Sequence, residues 1–109
     1  MTIIESVKKF YTDNLTELNA YLEETSLLDI NTKYPNSVVI KFGKSKLMGE
    51  VSVWEHENTD SYYECEYFDM TTLDKEPVNL YKQITAETVV DELTIQFNTL
   101  YKLSKNNKS

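Results

Sequence analysis

The chain has 109 residues, 40% of them apolar and 27% charged, and a net charge of −7. That balance describes one globular domain rather than a disordered chain, with enough surface to bury for a core that needs no metal or disulfide staple. All eleven basic residues are lysines, so the bidentate phosphate reader that arginine supplies is missing and direct nucleic-acid binding is disfavoured.

Ile4, Val7, Tyr11, Leu15, Leu18 and Leu22 recur at three- and four-residue steps, which predicts an amphipathic helix over residues 3–24. Thr2 and Glu5 stand at capping-box spacing at its start. A loop follows, with a short extended piece at 27–30. Tyr34-Pro35-Asn36 reads as a turn, because proline disfavours helix in the residue before it.

Four strands are expected next. In 37–42, Val38, Ile40 and Phe42 share a face. In 47–55, Leu47, Gly49, Val51 and Val53 oppose Met48, Glu50, Ser52 and Trp54. In 61–70, Tyr63, Cys65 and Tyr67 oppose Tyr62, Glu64, Glu66, Phe68 and Met70. The strand 78–84 has Val78, Leu80 and Ile84 on one side and Tyr81 on the other. Short polar links between these segments suit hairpins in an antiparallel meander. The last element is a helix over 86–103, with Thr85 as N-cap and Ile84 and Val89 as a hydrophobic staple. Its apolar stripe is Val89, Val90, Leu93, Phe97, Leu100 and Tyr101, and the polar tail 104–109 is expected to fray.

The expected architecture is therefore α+β: a four-stranded antiparallel sheet with N- and C-terminal helices packed on one face. The apolar strand face (Val38, Ile40, Phe42, Val51, Val53, Cys65) is the partner for the helices. The opposite face meets solvent. It holds Val39, Lys41, Glu50, Ser52, Trp54, Tyr62, Glu64, Glu66, Phe68 and Tyr81. Charge is concentrated near that face: residues 54–84 carry −6, whereas 25–53 carry +2. Residues 54–69 alone hold six acidic and five aromatic side chains and no lysine. Strand alternation divides this segment, sending Tyr63, Cys65 and Tyr67 inward and the rest outward.

The chemistry-bearing residues give no catalytic constellation. His56, the only histidine, could recruit Glu55, Glu57 and Asp60 to a metal, but a structural zinc site needs about four nitrogen or sulfur ligands and the chain has one His and one Cys. No calcium-loop pattern is present. Pairing Cys65 with His56 as nucleophile and base lacks a third, orienting group. Glu64 and Glu66 share a strand face, yet acid–base work needs an enclosing pocket that an open sheet does not supply. Glycine-rich phosphate loops, nucleophile elbows and dinucleotide fingerprints are missing. The expectation is a non-enzymatic protein without cofactor or metal.

One cysteine cannot form an internal disulfide, which suits a reducing compartment. Glu5 and Lys8 interrupt any signal-peptide core, and no apolar run approaches the roughly 18 residues that span a bilayer. The expected location is cytoplasmic, without a membrane anchor.

An alternating strand ending in GEVSVWE (49–55), an acidic-aromatic strand YYECEYFD (62–69), a polar link, a strand and a C-terminal helix together resemble small bacterial immunity proteins, most of all the TriTu family. The family pattern of an alternating strand ending in Trp-Glu, a polar hairpin and an acidic-apolar-acidic strand with a following Asp falls here on Val51, Val53, Trp54, Glu55, Glu64, Glu66 and Asp69. The resemblance implies a cytosolic antidote that binds and blocks a cognate toxin, in that family an ADP-ribosyltransferase.

The expected function is thus an immunity protein, or antitoxin, that occludes a toxin's active site. Its partner-binding residues would be Trp54, Tyr62, Glu64, Glu66 and Phe68, with Glu50 beside them. Aromatic anchors ringed by charge are the composition of interface hot spots, and an acidic rim steers a basic partner. Two other readings stay open: an acidic phage-type inhibitor mimicking nucleic acid, and a homodimeric structural or ligand-binding module that buries the same face.

Overall fold

The computed structural model describes residues 2–30, 36–44, 46–56, 59–69 and 78–106. The elements in chain order are α1 (Ile3–Tyr21), β1 (Glu24–Ile30), β2 (Asn36–Lys44), β3 (Leu47–Glu55), β4 (Ser61–Asp69), β5 (Val78–Ile84) and α2 (Val89–Asn106). All neighbouring strands pair antiparallel in the order β1-β2-β3-β4-β5.

The sheet has five strands, not the four expected, because the extended piece at 27–30 is part of a full edge strand. Its sequence hides it. Leu27 and Leu28 are adjacent, and Asp29 stands on the side that faces α1, which breaks the apolar alternation. Lys8 of α1 supplies the missing compensation as an ion pair with Asp29. Leu27 packs against the core while Leu28 points to the other face and is exposed.

Helix α1 starts where Thr2 Oγ1 accepts the Glu5 N–H at 3.1 Å. Among the described residues Glu5 does not return a bond to the Thr2 N–H, so only half of the expected capping box forms, and the next two donors are satisfied from elsewhere. Glu55, at the end of β3, accepts the N–H of Ile3 (3.1 Å) and of Ile4 (3.3 Å) with its two carboxylate oxygens. Two of the free donors of the first turn are thereby satisfied by one anion at the positive end of the helix. The helix ends at Tyr21, before the expected Glu24, because Leu22 turns extended and the chain enters β1. Its buried stripe is Ile3, Ile4, Val7, Phe10, Leu18 and, just beyond the end, Leu22, with Phe10 more deeply placed than Tyr11 or Leu15.

Entry to α2 is a turn at 86–88. Thr85 and Thr88 exchange hydrogen bonds: Thr85 N–H donates to Thr88 Oγ1 (2.8 Å) and Thr88 N–H to Thr85 Oγ1 (3.3 Å). The helix begins at Val89 rather than Ala86, and Ile84 and Val89 are both buried as a staple requires. It runs to Asn106, so residues 104–106 of the expected frayed tail are helical. Ser104 is buried, with its hydroxyl donating to the Tyr101 carbonyl. Residues 107–109 of that tail, the turn at 34–35 and the link at 71–77 lie outside the described residues. Val90 and Tyr101, assigned to the apolar stripe from sequence, are exposed.

Phe10 meets Phe97 and Tyr21 meets Tyr101, so the two helices run side by side in the same sense over one sheet face. Beneath them lie Val38, Ile40, Phe42, Val51, Val53, Tyr63 and Cys65, all buried. Each buried aliphatic side chain stabilises the fold by roughly 1.5–3 kcal/mol. Gly49 stands between Phe42 and Tyr67 in this layer. A Cβ there would lie 2.6 Å from Tyr67 Cβ and closer still to the Glu66 carbonyl oxygen, so the approach of β3 to β4 admits only glycine. Tyr63 ties the layers together. Its hydroxyl donates to Glu92 (3.0 Å) and accepts from Gln96 (3.4 Å) on α2, while Glu92 also takes Lys82 of β5 at 2.5 Å. Among the described residues, no helix is long and apolar enough to cross a membrane.

Candidate functional site

With the helices on one face, strand register defines the other. Four rows of side chains cross it. One row runs Ser37, Trp54, Tyr62, Gln83, and the next Leu28, Val39, Ser52, Glu64, Tyr81. The third is Ser26, Lys41, Glu50, Glu66, Asn79, and the fourth holds Glu24, Gly43, Met48 and Phe68. All six residues expected to bind a partner stand in these rows, as period-two alternation requires once the register is set.

They do not form one uniform patch. At one end the aromatics cluster. Tyr62 and Tyr81 stack with ring centroids 5.1 Å apart and planes 15° apart, and Trp54 lies 6.5 Å from Tyr81. Met48 and Phe68 occupy the other end. Between them runs an acidic band of Glu50, Glu64 and Glu66. Glu50 and Glu66 are direct cross-strand partners, an arrangement of like charges that disfavours the sheet. Among the described residues none of the three makes an ion pair or a side-chain hydrogen bond; the ion pairs present are Lys8–Asp29, Lys9–Asp13 and Lys82–Glu92, all elsewhere. Lys41 is the single cation in the rows; it stands beside Glu50 and forms no ion pair among the described residues.

Tyr81 is the residue whose importance the sequence understates. Its alternation with Leu80 puts it on this face, but only the fold shows it as the member that touches both other rings. At 59% exposure it is also the most open large side chain of the cluster. Met48 and Leu28, both exposed, extend the apolar surface, and Leu28 could be found only by recognising β1 as a strand.

Beside the Met48–Phe68 end, a shallow depression of about 620 Å3 is bordered by Glu24, Ser26, Lys41, Met48, Glu66 and Phe68. A second groove of about 530 Å3 runs between the helices, with Phe10, Tyr21, Phe97 and Tyr101 along it. The first brings Glu24, Glu50 and Glu66 near Lys41 in an open depression, and the second is lined largely by aromatic and apolar side chains. Cys65 is fully buried, and burial pushes its thiol up to about 12, so it carries no thiolate at neutral pH. His56 donates its backbone N–H to Ser61 Oγ, and Glu55 is engaged by α1. Among the described residues no three His, Cys, Asp or Glu side chains converge as a metal site.

Comparison with known protein families, curated proteins and solved structures gave no match.

Proposed function

We propose that this chain is an immunity protein that neutralises a bacterial toxin by stoichiometric binding, laying the open sheet face over the toxin's active site. The observation that carries the reading is the acidic band of Glu50, Glu64 and Glu66, which has Lys41 as its one neighbouring cation and no ion pair among the described residues, and which is flanked by aromatic and apolar side chains of which Tyr81 and Met48 are the most exposed. A sheet that places Glu50 against Glu66 without a cation between them gives up stability, and such local conflicts are expected where a surface is kept for binding. Carboxylates raise the capture rate of a basic partner, and desolvated aromatic anchors slow its release. Trp54, Tyr62 and Tyr81 are anchors of that kind, with Phe68 and Met48 at the far end. The resemblance to the TriTu family points to an ADP-ribosyltransferase as the toxin blocked.

The test is co-expression. The product of the neighbouring gene is induced in cells with and without this chain. Growth arrest that the chain relieves, together with a one-to-one complex on size exclusion, is the expected result. A neighbour that is harmless in cells lacking this chain removes the reading.

A further inference from the structure

We infer that the aromatic end of the open face is a receptor for an arginine side chain presented by the partner, and that arginine is preferred there over lysine. The inference deepens the proposed binding role of this face and rests on it.

Glu64 is framed by rings. Tyr81 is its direct cross-strand partner on β5, Tyr62 lies two residues away on the same strand, and Trp54 is opposite Tyr62 on β3. On its other side stands Ser52, only 8% exposed although it belongs to the open face. The Ser52 hydroxyl makes no hydrogen bond with any described residue and is not sealed from solvent, so it is free to bond a group that arrives from the open side. A carboxylate, a hydroxyl free to bond and open ring surface thus meet at one place. A guanidinium matches all three. It is planar, stacks on an aromatic face, is weakly hydrated, and has donors enough to reach both a carboxylate and a hydroxyl. A lysine ammonium offers a point charge but no plane to stack.

The occupant has to come from another protein. The chain contains no arginine, so neither an intramolecular side chain nor a second copy can fill the position. The carboxylates of Glu50, Glu64 and Glu66 on the same face, against the single cation Lys41, give the partner's sign.

The chain also carries its own reporter, since Trp54 is its only tryptophan. Capped tetra-arginine and capped tetra-lysine, equal in charge, are titrated against the full chain with Trp54 fluorescence as the readout. The expected result is a response to both peptides, with tetra-arginine tighter by about threefold to tenfold. Tyr81→Leu should remove that preference by weakening tetra-arginine more than tetra-lysine. Glu64→Gln, a near-isosteric change on an open face, should weaken both peptides. Thermal unfolding verifies that each variant is folded. Equal affinity for the two peptides, or an arginine preference that survives Tyr81→Leu, overturns the inference even if the chain protects cells from a toxin. A preference that vanishes with Tyr81→Leu supports it even if no protection is seen, so the two readings fail separately.

Discussion

Glu50 on β3 faces Glu66 on β4 in register across the middle of the open sheet, and neither carboxylate forms an ion pair among the described residues. Directly opposed like charges cost a sheet roughly 0.2–1 kcal/mol. Glu66→Gln should therefore raise stability by about that amount, seen as a higher urea midpoint with an unchanged slope. Glu50→Gln should gain less, because Glu50 also borders Lys41 and loses that attraction. Both variants should bind a basic partner more slowly, with the difference shrinking as salt is raised. Stability that falls in Glu66→Gln would show that the Glu66 carboxylate is held by attractions stronger than its repulsion from Glu50.

Gly49→Ala tests the closeness of β3 to β4. The new methyl meets backbone of β4, which cannot rotate aside as a side chain tip could. A loss of about 1–3 kcal/mol is expected, the range for overpacked interiors. Chemical denaturation measures it, and a neutral substitution would mean the strands separate without penalty.

Glu55 joins β3 to the start of α1 through two backbone donors. Glu55→Ala leaves both N–H groups without this acceptor and removes a negative charge from the helix N-terminus, for an expected loss of about 0.5–2 kcal/mol. Amide exchange should localise the effect, with faster exchange in the first turn of α1 than in α2.

The pH dependence of stability has a defined sign at Glu92. The hydrogen bond from Lys82 is the main reason its carboxyl titrates below the ordinary value of 4.5, with Tyr63 adding to the effect and partial burial opposing it. A depressed folded value means that the unfolded chain takes up the proton first. The stabilisation is fully present above the ordinary glutamate value and is lost as pH falls through the folded one. Glu92→Gln should accordingly lower stability at pH 7 and converge on the native protein in acid. Urea midpoints from pH 7 to pH 3 would show this, and parallel curves throughout would contradict it.

Much of the fold was legible in the sequence because its pattern is regular where packing demands it. The bounds of β3 and β5, and the inward set Val51, Val53, Tyr63 and Cys65, follow from period-two alternation over a single buried face. β1 escaped because its helix-side position Asp29 is polar and is made tolerable only by Lys8, twenty-one positions earlier in the chain. The end of α2 escaped because Ser104 looks like tail until its hydroxyl is seen to be buried and bonded. The six site residues share a face as alternation required. Their separation into an aromatic end, an acidic band and a Met48–Phe68 end depends on register between strands, which no single strand's sequence encodes. Tyr81 shows the same limit: its side was readable, its stacking on Tyr62 was not.

The most direct measurement compares three forms of the chain for protection of cells expressing the neighbouring gene's product, and for affinity to that product. The forms are the native chain, the open-face variant Glu50→Gln/Glu64→Gln/Glu66→Gln, and the helix-side variant Ile95→Ser, which alters an exposed residue of α2. Binding through the open face requires that the first variant lose protection and affinity while the second keeps both. Protection by the open-face variant equal to that of the native chain would contradict it.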